Sequence, residues 1–169
     1  MNLLETFTAV MEGNAARVNR ISSLNQAIPL IETFLNEKTK DNLIAISPGL
    51  ATNWPKPCPF EISIGTTDGN HKVCASQAWG AIADTGTLIL LSGPENPTRL
   101  NFLADYHLVF VAAETIVANK REVWQQLEAE GPLPRALNFI SGPSRTADIE
   151  QTIQLGAHGP RSLWVFVVG

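Results

Sequence analysis

The sequence predicts an α/β protein whose sheet is open and largely parallel, with helices flanking it. Three observations carry that expectation. Apolar runs of strand length alternate with amphipathic stretches of helix length. Two of the runs, His107–Ala112 and Leu163–Val168, are apolar at nearly every position, as strands buried on both faces of a parallel sheet are. No internal repeat or low-complexity tract interrupts the alternation, and 169 residues suit one domain spanning 1–169.

The elements follow in order. Leu3, Leu4, Phe7 and Val10–Met11 share one face of a helix that Gly13 can end. Ala16–Ile21 alternates with period two and reads as a strand. Ser22, Ser23 or Asn25 can cap a second helix with the stripe Leu24, Ile28, Ile31 and Leu35, where Pro29 is tolerated in the first turn. Leu43–Ile46 is a short buried strand, and four prolines argue against any regular element over 47–60. Glu61–Ile64 and Val73–Ala75 are brief strands separated by turn chemistry at Asp68-Gly69-Asn70, and a helical turn is expected over Ser76–Ala83. Thr87–Leu91 and His107–Ala112 are strands. Asn119 caps the next helix with Glu122 in the capping-box position and Val123, Trp124 and Leu127 inside; Gly131 and two prolines stop it. Ala136–Ile140 is a strand, a short helix is expected from Ala147 to Gln154, and Leu163–Val168 closes the sheet. All four tryptophans (54, 79, 124 and 164) read as core.

Composition excludes several functions. Hydrophobic residues are 44% and charged residues 17%, which excludes a disordered chain. A net charge of −4 without any basic run argues against nucleic-acid binding. The longest strongly apolar run, Leu163–Val168, falls far short of the ~20 residues of a membrane span. Met1–Val10 carries Glu5 and leads into no apolar signal core, so a cytoplasmic chain with reduced Cys58 and Cys74 is expected. Those cysteines and the scattered His71, His107 and His158 make no ligand set, so neither metal nor other cofactor is expected. So few charges leave a neutral surface that favours a partner complex or a homo-oligomer.

Open parallel sheets bind ligands beyond the carboxyl ends of their strands, and three polar, glycine-bearing segments are placed at or near such ends. In Ser141–Asp148, Gly142 and Pro143 bend the chain and Ser144 or Thr146 can cap the expected helix, whose N-terminus with Arg145 suits an anion. Asp148 and Glu150 oppose this, because first-turn acids already satisfy the helix dipole; a capped helix with Arg145 bridging to a carboxylate is the competing reading. His158, between Gly156 and Gly159 and close to Arg161, can move protons near neutrality or simply sit in a bend. Asp84-Thr85-Gly86-Thr87 is either a loop touching ligand or an ordinary turn. His107 reads as a strand-end residue. The phosphate loops GxxxxGK[S/T] and GxGxxG are absent, as is the GxSxG elbow.

In order and spacing, Ala81–Thr87, Ile140–Glu150 and Gly156–Arg161 resemble the LUD domain of the lactate-utilisation protein C family, a likeness covering roughly 73–168. Asp84 stands where many members of that family have Glu. The resemblance implies an α/β fold of the sugar-phosphate isomerase and CoA-transferase group. It also implies a subunit without redox centres that supports oxidation of L-lactate to pyruvate beside iron–sulfur oxidoreductase partners. On this reading a small anionic ligand would lie among Thr85, Gly86, Thr87, Gly142, Ser144, Arg145, Thr146, Asp148, His158, Gly159 and Arg161. The alternative is a stand-alone enzyme acting on CoA thioesters or sugar phosphates, with Asp84 or His158 as acid or base.

Overall fold

A computed structural model describes residues 2–65, 70–147, 153–155 and 159–169. Helix α1 (Leu3–Gly13) begins in a full capping box between Asn2 and Glu5 and buries Phe7 and Met11. Strand β1 (Arg17–Ile21) leads through a 3-10 turn into α2 (Ala27–Lys38), which buries Ala27, Ile31 and Leu35. The residue at its cap is Gln26, whose Oε1 accepts from the Ser22 N–H at 2.8 Å, rather than any of the three candidates expected there. Next come β2 (Leu43–Ile46), the single turn α3 (Pro48–Ala51) and β3 (Glu61–Ile64). Proline at the first position is compatible with a helical turn, which is how α3 forms inside a proline-rich segment.

The expected helical turn over Ser76–Ala83 is instead two strands, β4 (Val73–Gln77) and β5 (Gly80–Ile82). They are followed by β6 (Thr87–Leu91), β7 (Tyr106–Ala112) and the two-residue β8 (Ile116–Val117). Helix α4 (Lys120–Glu130) is capped by Asn119 Oδ1, which accepts from the N–H groups of Arg121 and Glu122, and it buries Val123 and Leu127. Trp124, expected inside, is 39% exposed. Strand β9 (Leu137–Ile140) precedes a second correction. The described ends of the helix expected from Ala147 to Gln154 are strand instead, β10 (Arg145–Ala147) pairing antiparallel with β11 (Ile153–Leu155), and 148–152 lie outside the described residues. So short a run fits either period, and tertiary pairing decides it. The chain ends in β12 (Ser162–Val168).

Six strands form one sheet in the order β1-β12-β7-β4-β2-β3, parallel at every pairing. Strand β12 therefore lies inside the sheet, between β1 and β7, and does not close an edge. A second sheet, β8-β5-β6-β9, is antiparallel except between β5 and β8. Helix α2 covers one face of the parallel sheet, with Ile31 and Leu35 packed in a cluster containing Leu108, Phe110, Trp164 and Phe166. The other face packs Val109, Val111, Val165 and Val167 against Phe7 and Met11 of α1 and Leu88 and Leu90 of the second sheet. Helix α4 closes the far side of that second sheet through Val123 and Leu127 on Ile82 and Ile89. Among the described residues no helix is long and apolar enough to cross a membrane.

Candidate functional site

The three polar segments approach one another. Thr85 Oγ1 lies 2.8 Å from Thr87 Oγ1, which lies 2.7 Å from Ser141 Oγ, so a chain of hydroxyls joins the β5–β6 turn to the end of β9. The Ser144 N–H donates to the Pro160 carbonyl at 2.8 Å, which brings in the third segment. Both turns lean on the end of α1. Gly86 has φ +55°, and a Cβ there would stand 2.9 Å from the Met11 nitrogen. Gly142 has φ +144°, and a Cβ would stand 2.6 Å from the Asn14 carbonyl oxygen. Side chains cannot occupy either space, so glycine permits the close approach.

A cavity of about 210 Å³ opens where the second and third segments meet. Its buried members are Asn101, His107, Pro160 and Leu163; Ile140–Ser144 and Gly159 border it, and the half-exposed Phe102 and Phe139 stand at its rim. Among the described residues, no Asp, Glu, Lys or Arg lines it. His107 and Leu163 are the second residues of β7 and β12, so the cavity lies at the amino ends of these strands. Ser141–Ser144 follow a strand as expected, but that strand, β9, belongs to the second sheet, and Gly159–Arg161 enter β12 rather than leave it, so the cavity stands at the amino ends of the parallel strands.

The sequence-selected residues divide into groups. Gly142, Ser144 and Gly159 border the cavity; Thr85 and Thr87 reach it through Ser141. Asp84 is exposed outside it. Arg145 is exposed and borders a neighbouring recess beyond Ser141–Pro143. Arg161 is turned to Asp105, with its guanidinium 3.2 Å from the carboxylate, both side chains about half exposed. Thr146 is placed on β10, where it pairs with Gln154 rather than capping a helix. Asp148 and His158 lie outside the described residues.

Sequence reasoning missed the polar group at the bottom of the cavity. Ser76, Asn101 and His107 are each no more than 1% exposed. The Ser76 hydroxyl donates to Asn101 Oδ1 at 3.0 Å and lies 2.8 Å from His107 Nε2. Among the described residues, His107 Nδ1 and Asn101 Nδ2 are buried without partners. Burial pushes the imidazole down to about 3, so His107 is neutral near pH 7. A signal was present: buried strands almost never hold a polar side chain without a partner, and β4 and β7 each hold one among apolar neighbours. Asn101, in the 3-10 turn Thr98–Asn101, carries no such local mark. Cys74 is a buried thiol raised to about 12 by desolvation and is unreactive. Among the described residues, no three His, Cys, Asp or Glu side chains gather as metal ligands do.

Comparison with known proteins places the segments within one family match. The model of the LUD domain matches residues 69–168. Lactate utilization protein C of Shouchella clausii is 37% identical over 90 residues, covering 52% of this chain and 39% of that protein. An uncharacterized protein of Neisseria meningitidis is 38% identical over 124 residues, covering 70% of this chain and 53% of its own length. The chain thus spans only about two fifths of the lactate utilization proteins C it first matches, 39% and 40% in two of them. The crystal structure of a DUF162 family protein from Deinococcus radiodurans shares the fold, with a TM-score of 0.73 at 20% identity over 99% of this chain and 96% of that one. With the family model matching more than half of its length, the chain belongs to the LUD domain family.

Proposed function

We propose that this chain binds a small 2-hydroxy or 2-oxo acid as the part of a lactate-utilization system that holds no redox centre, beside cytoplasmic iron–sulfur partners that carry the electrons. The observation that carries this reading is the convergence of the 139–144 and 159–160 segments on a cavity of about 210 Å³ whose buried end holds two partnerless polar atoms. That volume is below the roughly 300–1,000 Å³ of sites for drug-sized ligands, and it suits a three-carbon acid better than a CoA thioester. The names of the relatives supply the system. The ligand's negative charge would be met by the Ser141 and Ser144 hydroxyls, with the exposed Arg145 beyond the Ser141–Pro143 bend to draw it in. Arg161, held by Asp105, has no part in this version of the site.

Thermal unfolding in the presence of candidate ligands tests the reading. L-lactate or pyruvate at 100 times its Kd raises stability by about 2.7 kcal/mol, and Ser144→Tyr, which fills the cavity mouth, removes the effect. Purification at native expression levels recovers an iron–sulfur protein with the chain. Stabilisation by acetyl-CoA or ribose 5-phosphate, with none by the small acids, overturns the proposal in favour of a transferase or isomerase.

A further inference from the structure

The buried triad at the cavity has a fixed direction of hydrogen bonding. A serine hydroxyl owns one proton and two lone pairs. Ser76 gives its proton to Asn101 Oδ1, so toward His107 Nε2, 2.8 Å away, it presents a lone pair. The proton in that second bond must then come from the imidazole. A neutral imidazole carries one N–H, which leaves Nδ1 as a bare acceptor. On the other side Asn101 has spent its carbonyl oxygen on Ser76, and its Nδ2 group keeps two protons without a partner. Two residues bordering one cavity therefore hold an unmatched acceptor and an unmatched donor.

From this pairing we infer that Ser76, Asn101 and His107 make the cavity selective for a 2-hydroxy acid over the corresponding 2-oxo acid, Ser76 acting as a positioning residue that sets the imidazole tautomer. The inference rests on the reading that the cavity binds a small acid. A 2-hydroxy acid supplies both complements: its hydroxyl proton goes to His107 Nδ1, and an oxygen accepts from Asn101 Nδ2. A 2-oxo acid has only acceptors when ionised. It can satisfy Asn101, but its carbonyl lone pairs face the lone pair of Nδ1, and that nitrogen stays buried and unpaired. Sites built to bond a hydroxyl reject analogues lacking it far more strongly than apolar pockets reject a missing methylene. No proton or electron is transferred, so the selectivity is one of binding alone.

Isothermal titration of the full chain with L-lactate and with pyruvate, on the native sequence and on Ser76→Ala, tests this. The native protein is expected to bind L-lactate about tenfold or more tightly than pyruvate. In Ser76→Ala, checked for a native melting transition, His107 is free to carry its proton on either nitrogen, and the ratio falls to about one. Long-range 15N–1H spectra of the native protein give an independent reading, with the Nε2–H tautomer expected for His107. Equal affinities, a preference for pyruvate, or an Nδ1–H tautomer overturns the selectivity while leaving small-acid binding intact. Failure of both acids to bind overturns the underlying reading and the selectivity with it.

Discussion

The two faces of the parallel sheet solve the same burial problem with different materials. On the α2 side, Phe110 and Phe166 stack at 4.8 Å with their planes 12° apart, and Trp54 and Trp164 pack onto them edge-on or tilted. Large rings dominate that layer, with Ile31, Leu35, Ile44 and Ile46 packed among them. On the opposite face the same strands present valines, together with Ser76 and His107. Smaller side chains let a second sheet approach, but where the two sheets part at the strands' amino ends a cavity remains with the buried polar triad beside it. The ring-packed face is held by stacked and edge-on aromatic contacts, and the valine-packed face ends at the cavity of about 210 Å³.

Removing a ring from the packed side has the largest expected effect. Phe166 is fully buried, and Phe166→Ala costs about 3–5 kcal/mol in chemical denaturation, because neighbouring rings cannot collapse into the gap. A loss no greater than that of Val165→Ala on the other face breaks the contrast drawn between the two.

Acid sensitivity comes second and belongs to the valine side. His107 is held near 3 in the folded chain against an ordinary 6.5, so between those values the unfolded chain binds the extra proton. Stability is fully present above pH 6.5 and falls as pH drops toward 3, by about 1.4 kcal/mol per pH unit in the middle of that window. Between pH 6.5 and 5 the loss amounts to about 2 kcal/mol. His107→Gln, which has no ring to protonate, flattens this part of the pH profile; an unchanged slope in the variant assigns the acid sensitivity to other groups.

The same contrast explains which parts of the structure could be read in the sequence. Strands β7 and β12 announced a parallel sheet, and the capping residue Asn119 stands where α4 begins. Short segments did not declare themselves. Ala147 and Ile153–Gln154 were expected in a helix but pair as strands, because three-residue elements owe their conformation to a partner rather than to their own period. The approach of the three polar segments was legible as composition, since glycines mark where loops meet another backbone, as Gly86 and Gly142 do on α1. Their position at the amino ends was not, because it depends on β9 leaving the main sheet. His107 was read as a strand end; its meaning comes from Ser76, 31 positions away, whose hydroxyl also bonds Asn101 across 25 positions, and no local pattern connects the three.

The smallest effect concerns the hydroxyls that join the β5–β6 turn to the end of β9, and it asks whether the convergence of loops is held together or merely adjacent. Thr87 is 5% exposed, and its Oγ1 sits between Thr85 Oγ1 and Ser141 Oγ. Removing one partner of such a bond costs about 1 kcal/mol, and a buried hydroxyl left without a partner costs somewhat more. Thr87→Val therefore lowers stability by about 1–2 kcal/mol and Ser141→Ala by about 1 kcal/mol. The two losses do not add: once Thr87 is valine, Ser141 has no bond to lose there, so the double variant is more stable than the sum predicts by about 0.5–1 kcal/mol. Coupling of that size means the hydroxyl chain fixes Ser141 at the cavity edge, and the ligand affinity of Thr87→Val should fall with it even though Thr87 does not border the cavity. Strict additivity would mean the loops are set by the glycine contacts to α1 alone, and substitution at Thr87 would then leave binding unchanged.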